Sequence, residues 1–567
     1  MHGSTRDRDL YETERGAHMT KIVIVGGVAG GASAACRARR LDETAEIIVF
    51  ERGSYVSYAN CGLPYYVGGS ISERSKLAVQ TPQSLRSRFN IDVRIETEVV
   101  GIDAKAHEVE ALDHATGKTY RESYDKLLLS PGAGPVRPPL SGIDLPNVLT
   151  VRSIPDVDRI CAAATHRQGQ RAVVVGGGFI GVEMAENLVD RGLSVELVEM
   201  SDHIIKSLDA DMAVDLHREL RANGVTLHLE EGLEGIEQRV DSLAVSTNKG
   251  RLIACDMVIL AIGVRPETKL ALASGITCGP RGHIVVDDQM RTNLSDIYAV
   301  GDAVQVTDFV GGTATAIPLA GPANRQGRLA AHNMLGGSDT YTGTQGSSIV
   351  KVFGLAAAST GLTEESARAQ GIDVDKTYLT QPHHATYYPG AKTMGLKVLW
   401  EKGTGKLLGA QAIGSEGVDK RIDVIATAIR FGADVRDLVS LELCYAPPFN
   451  SAKDPVNIAG FVAQNVLDGT LRQFFPEDVA GLPRDGSVTL IDVRTPGEHA
   501  RGRIDGFANI PVDEIRARLD EIPTDKPVYV HCKSGQRSYI ACRILTGLGY
   551  SCYNLAGGYD RWSAIYA

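Results

Sequence analysis

Long apolar runs are missing from this 567-residue chain. No uninterrupted stretch of about 18 apolar residues occurs, so no membrane-spanning helix is expected. The polar opening MHGSTRDRDLYETERGAHM has no apolar core of the kind that directs export. It reaches a second methionine at Met19, and residues 1–18 read as an expression leader to be set aside from fold reasoning. An excess of basic charge is missing too: a formal net charge of -10 argues against a nucleic-acid partner, while leaving room for a local basic pocket. Nine cysteines are present, but without regular spacing or paired metal-ligand motifs, so neither a disulfide scaffold nor a metal site is expected. Thiols scattered in this way fit a reducing compartment, and the expected location is the cytoplasm.

What the chain does hold is length and glycine. At about 150 residues per domain the length suggests three or four units, and 61 glycines point to tight turns and close approach of backbone to ligands. The segment KIVIVGGVAGGASAACRARRL reads as a strand, a glycine turn and an Ala-rich helix. Gly26 and Gly31 take the outer positions of a dinucleotide fingerprint, with Val28 in the middle one. The next strand, EIIVFE, ends at Glu51, whose carboxylate is placed for an adenosine ribose. The second copy, RAVVVGGGFIGVEMAENL, has Gly176, Gly178 and Gly181 in full GxGxxG spacing, followed by a strand ending at Glu199. Glycines so placed let a pyrophosphate reach the positive end of a helix. A carboxylate at Glu199, with no arginine among Met200, Ser201 and Asp202, disfavours the extra phosphate of NADPH. NADH is therefore expected, with Lys206 keeping NADPH open.

Between the two units, SYVSYANCGLPYYVGG carries Cys61 without a CxxxxC partner. A redox cysteine standing alone must pair transiently, with a substrate thiol as a mixed disulfide or with oxygen as a sulfenic acid. Ser33, Arg37 and Arg40 recur on one helical face, which is either a solvated surface or a cradle for phosphates. Far downstream, VYVHCKSGQRSY sets Cys532 after a strand and before a helix. The N–H groups of such a loop would stabilise a thiolate or the terminal sulfur of a persulfide.

The two nucleotide units and the later TNLSDIYAVGDA resemble, over roughly Lys21 to Gly469, the two-dinucleotide-binding-domain flavoproteins of the disulfide reductase family. The resemblance implies FAD contacts at Gly26, Val28, Gly31, Glu51, Arg52, Ser130, Gly132, Gly301, Asp302 and Pro318. It implies nicotinamide-nucleotide contacts at Gly176, Gly178, Ile180, Gly181 and Glu199, and crossover strands in LLLSPGAGP and LAIGVRPE. The string NCGLPYY is similar to the branch holding coenzyme A-disulfide reductases and NADH oxidases and peroxidases. The oxidases and peroxidases carry a histidine at the start of the first helix, where this chain has Val28 and Ala29, so peroxide reduction is the secondary expectation. Coenzyme A-disulfide reductases hold coenzyme A at positions matching Ser33, Arg37, Arg40, Ser57 and Asn60. A lysine of that site is replaced by Phe89, with Lys76, Arg86 or Arg88 as candidate substitutes. The resemblance of CYAPPFNSAKDPVN implies that Tyr445 and Lys453 reach the other subunit's active site in a homodimer, and HHATYYPGA supplies a second family-like tyrosine, Tyr387 or its neighbour Tyr388, for which plain packing is the alternative.

Past a linker rich in proline, glycine and acidic residues, LIDVRTPGEHARGRIDGFANIP, VYVHCKSGQRSY and NLAGGYDRW resemble the rhodanese fold over about 90 residues. Cys532 is then the sulfur carrier, with Arg537 closing its loop. That loop is a residue shorter than those of phosphatase-like sites, which suits a single sulfur atom better than a tetrahedral oxyanion. The expected fold class is α/β: two Rossmann-like dinucleotide-binding domains, an α+β dimerisation domain and a C-terminal α/β rhodanese domain. Expected boundaries are 19–150 plus 263–338 for FAD, 151–262 for NAD(P)H, 339–470 for dimerisation and 471–567 for linker and rhodanese. The leading expectation is NADH-dependent reduction of coenzyme A persulfides, polysulfides and related thiols through Cys61, with Cys532 carrying sulfane sulfur. The alternatives are a coenzyme A-disulfide reductase with an accessory domain, an NADH oxidase or peroxidase, and a nonreductive sulfurtransferase.

Overall fold

The computed structural model describes residues 19–164 and 169–566, so the leader expected over 1–18 lies outside the described residues. The β-branched run Lys21–Val25 is the central strand of a five-stranded parallel sheet. Glu46–Phe50 and Asp92–Arg94 lie on one side of it, Lys126–Leu129 and Ile297–Ala299 on the other. Ile22, Val23 and Ile24 are fully buried, as a strand covered on both faces requires. A second parallel sheet, ordered Thr226–His228, Ser194–Val198, Arg171–Val175, Met257–Leu260 and Val148–Thr150, is completed before the chain returns to add Ile297–Ala299 to the first. The antiparallel pair Ala133–Pro135 and Val264–Pro266 carries the chain out and back. Both strands expected to end on a glutamate stop one residue earlier, at Phe50 and Val198, because Glu51 and Glu199 are turned onto the glycine loops.

Helix Ala29–Leu41 follows the first glycine turn and crosses helix Ala320–Met334. The crossing is tight: a Cβ on Gly327 would lie 2.2 Å from the Gly30 carbonyl oxygen. Ala34, Ala35 and Ala38 share one buried cluster with Ala330, Ala331 and Met334. Small residues on both helices therefore let their arginines converge at one end.

The segment from Ser348 builds a five-stranded antiparallel sheet in the order Ser348–Val352, Leu355–Gly361, Leu407–Gly414, Thr393–Glu401 and Val374–Pro382. The segment LKVLWEKGTGKLLGAQAIG, two strands around a glycine turn, forms its central hairpin, and every residue of Leu407–Gly414 is buried. Helices Val418–Arg430 and Pro455–Leu467 pack on it through Ile422, Ile425, Val456 and Ala459. The last sheet is parallel, ordered Gln473–Phe474, Cys552–Leu555, Val528–His531, Thr489–Asp492 and Ala508–Asn509.

This C-terminal unit is seated on the rest of the chain. Arg561, on helix Gly558–Tyr566, donates to the Asp211 carbonyl at 2.7 Å and pairs with Asp215 at 2.7 Å. Beneath it, the fully buried Lys397 meets Asp209, Asp211 and Glu364 at 2.7, 2.9 and 3.0 Å. Lys376 links Glu364 to Glu477 of the C-terminal unit at 2.8 and 2.7 Å. Among the described residues no helix is long and apolar enough to cross a membrane.

Candidate active sites

In the first glycine turn, Gly26 has φ +96°, and a Cβ there would lie 2.1 Å from the Ser130 carbonyl oxygen. Val28 is accommodated in the middle position because its φ is -101°, outside the left-handed region that favours glycine. Glu51 accepts hydrogen bonds from the Gly27 and Gly53 N–H groups, both at 2.9 Å. The second unit repeats the device, with Glu199 accepting from Gly177 at 2.6 Å and Ser201 at 2.7 Å. Gly178 has no atom within 4 Å of where a Cβ would stand, leaving a phosphate free to approach helix Phe179–Asp190. Gly181 packs against Gly176, and Gly31 against Gly26, while Ile180 is 37% exposed. The Ser130 hydroxyl lies beside Gly30 and Gly301, and Gly132 faces Arg152. Gly301 donates to Gln326 Oε1 at 2.8 Å. Burial pushes the Asp302 carboxyl up, against the pull of Arg152. Arg52 is paired with Glu267 at 2.6 Å, and Pro318 is exposed ahead of helix Ala320–Met334.

Cys61 stands where the two units meet, in the turn Asn60–Gly62 that opens helix Leu63–Val67. Its residue is exposed, yet crowding on its flanks, and then the carboxylates of Glu183 and Asp302, push the thiol pKa up. Glu183 comes from the helix after the second glycine turn, Asp302 from the returning segment of the first unit. Burial raises the Glu183 carboxyl to about 7, with Tyr65 opposing and Glu186 adding to the rise. Tyr65, four residues after Cys61 in sequence, donates its hydroxyl to Glu183 Oε1 at 3.2 Å.

Ser33, Arg37, Arg40 and Ser57 come together on the wall of one cavity of about 400 Å³. Arg325, Arg328 and Asn324 from helix Ala320–Met334 complete that wall, on which no carboxylate stands. Among the described residues none of the four arginines is in an ion pair. Arg37 Nε and Asn60 Oδ1 are buried without a hydrogen-bond partner, although Asn60 is not on the cavity wall. The substitutes expected for the missing lysine are not there either. Lys76 pairs with Glu73 at 2.8 Å and Arg86 approaches Asp92 at 3.8 Å, while neither of them nor Arg88 lines the cavity. Arg325 and Arg328 supply the added charge.

Tyr387 and Tyr445 are 74% and 49% exposed, and their hydroxyls are 2.8 Å apart. Tyr388 takes no part in that pair; its ring packs edge-on against His384. Lys453 is exposed beside the buried Asp454.

In the C-terminal unit Cys532 is buried at the end of strand Val528–His531. Its sulfur accepts from the Gly535 N–H at 3.1 Å and from the Ser538 hydroxyl at 3.3 Å. The loop therefore uses one backbone donor and one side-chain donor instead of a ring of N–H groups alone. Gly535, at φ +99°, is what turns its N–H inward. Arg537 makes no hydrogen bond to the sulfur: half-buried in helix Gln536–Gly547, it forms a bidentate pair with Glu498, both contacts at 2.7 Å.

Residues 20–327 match the pyridine nucleotide-disulphide oxidoreductases, 347–455 the dimerisation domain of that family, and 475–565 the rhodanese-like domain. The chain belongs to the pyridine nucleotide-disulphide oxidoreductase family. This oxidoreductase is 37% identical over 447 residues to the coenzyme A disulfide reductase of Staphylococcus epidermidis, covering 79% of this chain and 100% of that one. Its fold matches reduced Bacillus anthracis CoADR-RHD with a TM-score of 0.94 at 46% identity, over 96% of this chain and 98% of that chain. It matches an NAD-dependent persulfide reductase from A. fulgidus with a TM-score of 0.90 at 37% identity, over 96% and 100%.

The family is FAD and NAD(H) dependent, and this oxidoreductase has places that fit both groups. The turn at Gly26, the Glu51 carboxylate and the half-buried Asp302 fit FAD. The open approach beside Gly178, with Glu199 at the following strand end, fits a dinucleotide without an added phosphate. Sequence reasoning missed Glu183, Tyr65, Arg325, Arg328 and Ser538. The first four act across long sequence separations, which local pattern does not encode. Ser538 was within reach, as a hydroxyl at the start of the helix that follows a cysteine loop.

Proposed function

We propose that this oxidoreductase reduces coenzyme A persulfides and polysulfides, and coenzyme A disulfide, with NADH, and releases hydrosulfide. One observation carries the reading: four arginines without carboxylate partners converge on a cavity that also includes Ser57, in the loop leading to Cys61. Such a cavity suits a multiply phosphorylated handle whose sulfur extends to a thiol. Arg37, Arg40, Arg325 and Arg328 hold the phosphates, and Ser33, Ser57 and Asn60 orient the remainder of coenzyme A. The Cys61 thiolate attacks the sulfur next to carbon in the persulfide. The S–S bond breaks, hydrosulfide leaves with the bonding pair, and a Cys61–coenzyme A disulfide forms. FAD, which the Gly26 turn, Glu51 and Asp302 would hold, would supply the relay of two electrons from NADH; with that disulfide reduced, coenzyme A leaves as the thiol and Cys61 is restored. The sum is CoA–SSH + NADH → CoA–SH + HS⁻ + NAD⁺.

The chain acts as a homodimer in which Tyr387, Tyr445 and Lys453 reach across to the partner's Cys61. The phenols then hydrogen-bond the departing sulfur anion, and Lys453 adds charge at coenzyme A. Cys532 receives or delivers sulfane sulfur, its terminal atom held by Gly535 and Ser538, with Arg537 steadying the loop from behind through Glu498. The resemblance to a persulfide reductase over nearly the whole chain supports the reading.

The test is anaerobic NADH oxidation with coenzyme A persulfide and with coenzyme A disulfide, following hydrosulfide. Preference for persulfide with one hydrosulfide per NADH, abolished in Cys61→Ser, is the expected result. Disulfide as the better substrate, with no effect of Cys532→Ser, would identify a coenzyme A disulfide reductase carrying an accessory domain instead.

A further inference from the structure

Tyr387 and Tyr445 lie on separate loops. Each phenol is largely exposed, and the 2.8 Å contact between the hydroxyls joins only the tips. What holds the bases of these loops together is a buried polar cluster that the proposed chemistry does not itself use. Arg421, Asn450 and Asp454 are each 1% exposed. Arg421 projects from helix Val418–Arg430 and donates to the His383 carbonyl at 2.9 Å, on the loop that carries Tyr387. The same terminal nitrogen donates to Asn450 Oδ1 at 2.8 Å. Asn450 Nδ2 in turn donates to the carbonyl of Cys444, the residue before Tyr445, at 3.2 Å, and to Asp454 Oδ2 at 2.6 Å. Asp454 faces Arg421 at 3.2 Å and caps helix Pro455–Leu467 through the Val456 N–H at 2.8 Å. One backbone bond, Ala385 N–H to the Asn450 carbonyl at 3.2 Å, runs directly between the loops. His383 and His384 share a 2.7 Å contact and lie packed under the Tyr387 loop.

A buried guanidinium is costly unless its partners are fixed and well aimed, and such clusters hold their neighbours to one arrangement. We infer that Arg421, Asn450 and Asp454 form a clamp that sets the two phenols at the distance and angle needed for the oxidative half of the cycle. The inference rests on the role proposed above for Tyr387 and Tyr445. These three are positioning residues: they are gripped by loop carbonyls and by one another, and they act on substrate only through the tyrosines.

The experiment separates the two halves of the cycle in the flavin-loaded full-length enzyme. Stopped-flow reduction by NADH reads the first half, and reoxidation of the reduced enzyme by coenzyme A persulfide reads the second. In Asn450→Ala the first rate is unchanged and the second falls by on the order of tenfold or more, as displaced catalytic groups cause. Asp454→Asn keeps the shape of the cap and removes the charge facing Arg421, and it shows a loss in the same half. Should Asn450→Ala fold poorly, by its melting temperature, Asp454→Asn carries the comparison. The decisive measurement is a double-mutant cycle with Tyr445→Phe: the clamp substitution adds nothing once the phenol is gone. Equal losses in both halves, or full additivity with Tyr445→Phe, would overturn the clamp. If Tyr387→Phe and Tyr445→Phe leave reoxidation unchanged, the phenols' role fails, and that outcome is distinct from one in which they slow it and Asn450→Ala does not.

Discussion

Glu183 and Cys61 confront each other where the nucleotide units join, and negative charge on either opposes ionisation of the other. Removing the carboxylate with Glu183→Gln therefore lowers the pKa of the Cys61 thiol. The pH dependence of Cys61 alkylation by iodoacetamide measures it, with the variant's profile displaced to lower pH. The same residue makes stability depend on pH. Its folded carboxyl titrates near 7 against 4.5 for an unperturbed one, so the folded state binds this proton more tightly than the unfolded state. The stabilisation is complete below 4.5 and is lost as pH rises through about 7. Urea unfolding at about pH 5 and about pH 8 compares the two, and Glu183→Gln flattens that part of the profile. A profile identical to wild type in both measurements would remove Glu183 from the Cys61 environment.

At the scale of elements, the crossing of helices Ala29–Leu41 and Ala320–Met334 makes the basic cavity. That Arg37 and Arg40 share a face was legible from helical spacing, since one turn fixes which residues lie together, while the reading of that face as a phosphate cradle came from the family resemblance. Arg325 and Arg328 were not, because their placement depends on the contact of Gly30 with Gly327, a tertiary fact without local signature. The glycine turns lie at the legible extreme: Gly26 and Gly176 must take positive φ, and that demand is written in the residue type. Tyr65 and Glu183 lie at the other, a hydrogen bond between two units that no periodicity links. The arginine pair gives a prediction that the local pattern did not. Arg325→Ala and Arg328→Ala each raise KM for coenzyme A persulfide about ten- to a hundredfold, the value of a charge-assisted phosphate contact. KM for NADH stays as in wild type, and added salt narrows the difference. Unchanged KM for the coenzyme A substrate in both variants would show that the phosphates lie elsewhere.

Across the whole molecule, the C-terminal unit is joined to the oxidoreductase by buried charge as well as by chain connectivity. Lys397 belongs to the antiparallel sheet, Asp209 and Asp211 to the second nucleotide unit, and Glu477 reaches the same cluster through Lys376. Burial works against the Lys397 charge, but the surrounding Asp211, Asp209 and Glu364 outweigh it and hold the ammonium well above its usual range. Replacing one partner of such a cluster leaves the others charged and dry. Lys397→Met, which fills similar volume without the charge, strands these carboxylates and costs about 3–5 kcal/mol. Differential scanning calorimetry of the flavin-loaded enzyme reads the result. If the cluster fixes the C-terminal unit, the variant's lowest transition moves down in temperature and separates from the rest, because Arg561 and its hydrogen bond to the Asp211 carbonyl lose their support. A single transition at the wild-type temperature would mean that the unit is held by other contacts.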